Sequence, residues 1–301
     1  MTHETEVTVQ GNREFAKVKG SAYILPCDKR EIERLIAQHR IIKMASDSKN
    51  IHVPKSIESL NTSEGKILDM ATGSGTWAIE VAREYPNAQV IGVDISDHGF
   101  PTHSPPNTRF LRANVLDGLP FEDGAFDLVH QRLLIGALSQ QQWGPALTEL
   151  VRVTRPGGWV QLAEWNFQEK YPESLPNLLW YRRALSQMFQ ERGFDLQAGD
   201  HLEDRARAAG LTNLHIARYP LPIGQSTELG RLNKVKAFES ISGMASQLKK
   251  HMAPIGPPQG WEGEILDASH VQQIVDEIEI AELEGSFLMY TIVIVCGQRP
   301  L

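Results

Sequence analysis

Two carboxylates and two glycines raise the first chemical question. In LDMATGSGTWAIEVA, Asp69 closes an apolar strand pattern, Gly73 and Gly75 follow in a tight turn, and a helical pattern starts near Ser74 to Thr76. Glycines in such a turn let the backbone approach a ligand where a Cβ would block it, and they adopt positive φ at no steric cost. Asp94 ends the next strand pattern, where a carboxylate accepts hydrogen bonds from both hydroxyls of a ribose. Taken alone, GSGTWA also fits the GxGxxG/A dinucleotide fingerprint. Asp69 adds information: a dehydrogenase usually keeps an apolar residue at that strand end, whereas a carboxylate there can meet a ligand's ammonium group, directly or through water. Ala71 and Trp77 in the same segment, and Ile95 beside Asp94, complete this set of expected ligand contacts.

A second group follows from where open α/β sheets hold their ligands, at the carboxyl ends of the strands. His130, Gln131 and Arg132 follow the strand pattern AFDLVH, and Glu164 closes GWVQLAEW. The trio is expected to line the pocket. His130, with an ordinary pKa near neutrality, and Glu164 are the candidates for taking a proton from a substrate. Against this stand a histidine that only packs and an acid that only holds a neighbouring element. His98 and His103 lie in a Pro-rich loop with no third ligand at metal spacing, so they are expected to face solvent and no metal is expected. Cys27 and Cys296 are far apart and form no CxxC. Trp143, Trp165, Trp180 and Trp261 suit either an aromatic cavity or, more commonly, the core. The lysines of KVK and KK at 234–236 and 249–250 are expected on a solvated face. No GxSxG, Ser/His/Asp or Cys/His constellation argues for covalent catalysis.

Those residues need a sheet to hold them. Strand patterns at KILDM, QVIGVDI, TRFLRAN, AFDLVH, GWVQLAEW, TNLHIARYPLPI and SFLMYTIVIVCG alternate with helical ones, the signature of a parallel sheet covered by helices. The expected organisation is a flexible arm (1–20), an N-terminal helical cap (21–60), a core (61–223), a helical lid insertion (224–285) and a last core strand (286–301). In the cap, Ile32, Leu35, Ile36 and His39 recur at helical spacing. With 301 residues and 41% hydrophobic content, the chain has ample apolar surface for a core. A net charge of -7 disfavours nucleic-acid binding and leaves a small molecule or a protein as partner. No signal-peptide pattern or membrane-spanning apolar run is present, so the cytoplasm is the expected location, with the nucleus as the alternative.

LDMATGSGTWAIEVA, IGVDIS, NVLDGLPFEDGAFDLVHQRLL and ELVRVTRPGGWVQLAEW resemble the successive motifs of class I S-adenosylmethionine-dependent methyltransferases. They are most similar to the fungal group related to the secondary-metabolism regulator LaeA. The resemblance spans about residues 21–165, with Tyr23 to His39 similar to that group's cap. It implies an α/β, Rossmann-like, seven-stranded and mostly parallel sheet whose last strand is antiparallel. It assigns Gly73 and Gly75 to the cofactor loop and Asp94 to the ribose, places Asn114 and Val115 beside the adenine, and brings Tyr23 and His39 over the methionine end. Many relatives carry Asp at the Asn114 position, and the Asn carbonyl still accepts from an adenine amino group. The implied reaction moves a methyl group from S-adenosylmethionine to an O, N, S or C nucleophile of a small molecule, expected to be a secondary metabolite, leaving S-adenosylhomocysteine. A regulator acting through protein partners and a non-methylating use of the fold are the rival readings. A nicotinamide dehydrogenase is disfavoured by Asp69, by FDLVHQR and RPGG, and by the lack of a YxxxK pair.

Overall fold

Short runs rich in Ile, Val and Leu become the strands of one central sheet in the computed structural model. The structure describes residues 6–301 except 11, 19, 21, 55–56, 168–173, 225, 253–257, 259–260, 262–265 and 284–289. Two strands, β1 (Val7–Gln10) and β2 (Arg13–Ala16), pair outside that sheet. The sheet comprises β3 (Lys66–Met70), β4 (Gln89–Asp94), β5 (Thr108–Arg112), β6 (Phe126–Arg132), β7 (Thr154–Asn166), β8 (Thr212–Leu221) and β9 (Tyr290–Gln298). Their spatial order is β5-β4-β3-β6-β7-β9-β8, with β9 antiparallel to both neighbours and the other pairings parallel. This is the seven-stranded architecture that the motifs imply. From β3 the chain runs outward to β4 and β5, then returns to β6 on the other side of β3. The crevice above the carboxyl end of β3 is therefore the switch point where such sheets bind ligands.

Helices cover both faces, which is why β3 and β6 are buried almost without alternation. Among these helices are α2 (Thr76–Glu84), α3 (Gln140–Val153), α4 (Pro176–Glu191) and α5 (Leu202–Ala208). α3 starts on a capping box between Ser139 and Gln142, which satisfies backbone N–H groups at its first turn. Trp143 on α3 is buried, with the Arg205 guanidinium 4.7 Å from its ring. Trp180 and Trp261 pack edge to face at 4.6 Å. All three tryptophans are core residues.

The cap helix α1 (Lys29–Ala45) begins at Asp28, whose carboxylate accepts from the Glu31 N–H at 3.0 Å. Arg13 of β2 donates to the same carboxylate at 2.7 and 3.0 Å. Within the segment expected as a flexible arm, Val7–Gln10 and Arg13–Ala16 therefore form an antiparallel pair tied to the cap, with Arg13 and Phe15 buried and Glu14 exposed. Of the face its apolar spacing predicts, Ile32 and Leu35 line a cavity and His39 is buried, but Ile36 is turned out, and the buried side also carries a polar cluster. Ile36 is exposed, and Glu31, Arg34, Gln38 and His39 are buried. The reason is that the first turns of α1 lie over the cavity, while its last turns enter the apolar core through Ile41 and Ile42.

Two helices, α6 (Glu228–Met252) and α7 (Ala268–Leu283), come from the insertion between β8 and β9 that was expected to form a lid. α6 is clasped to α1 by Arg30 on Glu239 (2.5 and 2.9 Å) and by Arg40 on Glu228 (3.4 Å). α7 is joined to α6 by Lys234, which pairs with Asp276 and Glu279. Glu277 ties α7 to α4, accepting from Asn177 Nδ2 (2.6 Å) and the Leu178 N–H (2.8 Å). Among the described residues, no helix is long and apolar enough to cross a membrane.

Candidate active site

The chain passes from β3 into α2 through a turn in which Ala71, Gly73 and Gly75 have φ of +58°, +53° and +68°. For alanine this left-handed conformation costs roughly 1–2 kcal/mol, a local strain that the surrounding hydrogen bonds must hold. The Thr72 N–H donates to Val93 O at 3.0 Å and the Gly73 N–H to Asp94 Oδ2 at 2.9 Å. The other Asp94 oxygen accepts from the Ser96 N–H at 3.1 Å. Two backbone donors thus orient Asp94 at the carboxyl edge of the sheet, while burial raises its carboxyl pKa above the ordinary value.

A cavity of about 290 Å³ opens beside this turn. Ala71, Gly73, Asp94, Ile95, Asn114 and Val115 form its wall on the β3–β5 side. Asn114 also caps the short helical turn at 115–117, its Oδ1 accepting from the Leu116 N–H at 3.1 Å. Tyr23 from the cap and Arg132 from β6 line the same cavity, as does His98, which was expected to face solvent. His103 is exposed. On the β7 side the wall turns aromatic, with Trp165, Phe167, Tyr181 and Tyr290.

Several expected contacts lie behind this wall. Asp69 is 2% exposed, its Oδ1 2.8 Å from His130 Nδ1 and its Oδ2 accepting from Thr72 Oγ1 at 2.6 Å. Both carboxylate oxygens are engaged beneath the turn, so the acid braces the turn from behind the cavity wall. His130 is 1% exposed and stacks on Trp77 with ring centroids 3.8 Å apart and planes at 9°. Burial holds its pKa below the ordinary histidine value, against the pull of Asp69. It is a packed, anchored histidine and not an accessible base. Trp77 itself is buried and donates Nε1–H to Asn50 O at 3.2 Å. Gly75 serves packing, because a Cβ there would lie 2.8 Å from Phe110 Cε1.

Glu164 and Gln131 are also withdrawn from the cavity. Glu164 is fully buried and accepts from the Leu134 N–H (2.5 Å), the Ile135 N–H (3.2 Å) and Gln131 Nε2 (3.1 Å). Burial pushes its carboxyl up to about 8, opposed by those three donors. Its role is to shape the loop after β6, where Leu133, Leu134 and Ile135 line the cavity.

The residues that sequence reasoning missed come from α1 and α6. Arg34 Nε and Nη2 donate to Glu31 at 2.8 and 2.6 Å, and Nη1 donates to Gln38 at 2.8 Å. All three side chains line the cavity. Their spacing of three and four residues along one helix face was the available signal. His39, expected over the methionine end together with Tyr23, lies instead behind the cavity wall: its Nδ1 accepts from Arg132 Nη2 at 3.0 Å, which leaves its proton on Nε2, 3.1 Å from Glu80. Lys236 is the larger surprise. It was expected on a solvated face with Lys234, yet it is 8% exposed and lines the cavity. Among the described residues, no group of His, Cys, Asp or Glu is arranged to hold a metal ion.

A family model described as a methyltransferase domain matches residues 67–158, the segment that carries the turn, Asp94, Asn114 and Arg132. The N-methyltransferase sirN of Leptosphaeria maculans is 30% identical over 285 residues, covering 93% of this chain and 95% of that protein. The chain belongs to the S-adenosylmethionine-dependent methyltransferases. The N-methyltransferase gliN of Aspergillus fumigatus is 28% identical over 230 residues, 74% of this chain and 80% of that protein. The secondary metabolism regulator laeA of the same species is 25% identical over 299 residues, 97% of this chain and 76% of that protein. The cofactor of this methyltransferase is S-adenosylmethionine, and the crevice at the β3–β6 switch point is where the fold offers room for it.

Proposed function

We propose that this methyltransferase acts on a nitrogen of a small, largely apolar molecule of secondary metabolism. One observation carries the reading: a single cavity joins the Gly73–Asp94 turn to an aromatic chamber walled by Trp165, Phe167, Tyr181 and Tyr290. Such a chamber excludes water and favours a ring-bearing guest over a strongly hydrated one. The nitrogen is favoured because sirN and gliN are named N-methyltransferases.

The wall fits the cofactor. Gly73 has open space over its Cα, with only Leu35 Cδ1 3.4 Å from where a Cβ would sit, so backbone can approach a ligand there. Asp94, fixed by two backbone donors, keeps lone pairs for ribose hydroxyls. Asn114 and Val115 flank the adenine, while Tyr23 and Arg132 close the methionine end. S-adenosylmethionine supplies a methyl group already activated by its sulfonium. What remains for the protein is alignment, desolvation and the handling of one proton.

The test is transfer of label. Purified protein is incubated with S-adenosylmethionine labelled at the methyl carbon and a panel of fungal nitrogen-bearing metabolites, then products are read by mass spectrometry. Label on a nitrogen, with matching S-adenosylhomocysteine, is the expected result. Tight S-adenosylhomocysteine binding without small-molecule turnover would overturn the reading in favour of a regulator working through protein partners, the direction in which the likeness to laeA points.

A further inference from the structure

Lys236 is the cavity residue that cofactor binding leaves without a task. It projects from α6 with Nζ 4.6 Å from the Trp165 ring centroid and 5.6 Å from that of Tyr290. Among the described residues, no carboxylate pairs with it. Glu239 on its own helix is taken by Arg30, and Glu31 across the cavity is taken by Arg34. Lys234 points to the other side of α6, into Asp276 and Glu279. On α4, Tyr181 shares the cavity wall and the Arg182 guanidinium lies 5.2 Å from the Phe167 ring centroid. The ionisable side chains around Lys236 are therefore Arg34, already paired with Glu31, and the tyrosines Tyr181 and Tyr290 of the cavity wall.

A buried ammonium without a counter-ion is costly, so this amine is poised to be neutral or to be paired by what enters the cavity. Two forces act on it. Burial, with Arg34 nearby, lowers its pKa to about 7. The aromatic faces of Trp165 and Tyr290 attract the charged form, which gives the ammonium a resting place once it has formed.

Resting on the methyl-transfer reading above, we propose that Lys236 is the base of the reaction. Neutral Nζ takes the proton of the acceptor's N–H as the nitrogen lone pair bonds to the methyl carbon. The carbon–sulfur bond breaks with the sulfur keeping its pair, and the ammonium later yields its proton to water. The acceptor implied is a nitrogen that arrives uncharged with its proton attached. A basic ammonium is disfavoured, because it has no free lone pair to attack with and Arg132 already brings positive charge to the same wall.

The experiment combines a chemical titration of the wild-type protein with variants. Competitive acetylation of wild-type protein across pH, read by peptide mass spectrometry, is expected to show Lys236 titrating near neutrality. Titration with the solvent-exposed lysines overturns the proposal without reference to any turnover. With the acceptor found in the labelling panel, Lys236→Met is expected to retain S-adenosylhomocysteine affinity by calorimetry while methyl transfer falls by roughly 100-fold or more. The acidic limb of the pH profile should disappear with it. Lys236→Gln repeats the measurement should the methionine variant fold poorly. Transfer by these variants at the wild-type rate sinks this proposal alone. Absence of transfer by wild-type protein sinks the methyl-transfer reading and this proposal with it.

Discussion

Acid should loosen this protein through one histidine. His39 is 2% exposed and neutral in the fold, because its Nδ1 must accept from Arg132. Burial, with Arg132 beside it, lowers its pKa to about 4 from 6.5, outweighing the upward pull of Glu80. Below pH 6.5 the unfolded chain takes up a proton that the folded chain declines, so folding stability falls as pH drops from 6.5 to about 4 and levels off beyond. At 1.36 kcal/mol per unit, that gap of about 2.5 units amounts to roughly 3 kcal/mol from this side chain. His39→Gln is the matched control: the amide oxygen can accept from Arg132 and the amide nitrogen can face Glu80, with no proton to gain. Urea unfolding of both proteins at several pH values between 7 and 4 gives the comparison. The wild-type curve should lose about 3 kcal/mol more than the variant across that window. S-adenosylhomocysteine affinity should hold through most of that window and weaken only as the pH reaches about 4, where His39 of the folded protein takes up its proton beside Arg132, which lines the cavity. Parallel stability curves for the two proteins would refute the reasoning.

Other outcomes follow from the same geometry. Asp94→Ala removes the acceptor of the Gly73 and Ser96 N–H groups and the proposed ribose anchor. Calorimetry should show S-adenosylhomocysteine affinity falling by roughly 100-fold or more, at about 1.5–3 kcal/mol per charged hydrogen bond. Gly75→Ala should cost stability, about 2–4 kcal/mol from the clash with Phe110 and the left-handed backbone, while folded protein keeps most of its cofactor affinity. Gly73→Ala should show the opposite balance, a smaller stability loss with the larger affinity loss; equal profiles for the two glycine variants would contradict the placement. Glu164→Leu leaves the Leu134 and Ile135 N–H groups buried without acceptors, a loss of about 2–6 kcal/mol in urea unfolding.

The sheet and its turn were legible because their signals are local. Strand runs, the Gly73–Gly75 spacing and an acid at the end of β4 sit within short windows of sequence. Asp69 and His130 were misread because their meaning depends on strand register: the two residues lie directly opposite each other across the β3–β6 ladder. Nothing in either segment announces that pairing. Lys234 and Lys236 differ by about 200° around a helix, so one faces the lid's carboxylates and the other the cavity. That choice depends on how α6 is rotated against the core. The buried face of α1 was within reach of the sequence, as Glu31, Arg34 and Gln38 share one side. It was missed because only apolar residues were taken to mark the inward face, whereas here Ile32 and Leu35 share the cavity wall with the paired polar side chains of Glu31, Arg34 and Gln38.

The position of β9 also sets an order of events during synthesis. β8 has β9 as its sheet neighbour, and β9 fills the place between β8 and β7. Both strands therefore leave the ribosome with open hydrogen-bonding edges, and they stay open while the whole lid is translated. Until the nascent chain delivers β9, these edges are templates for pairing with other chains, and the closing contacts have the long sequence separation that slows folding. A pause in translation across the lid would prolong this exposure, making yield from a cell depend on elongation rate and chaperone supply as well as on the stability of the finished protein.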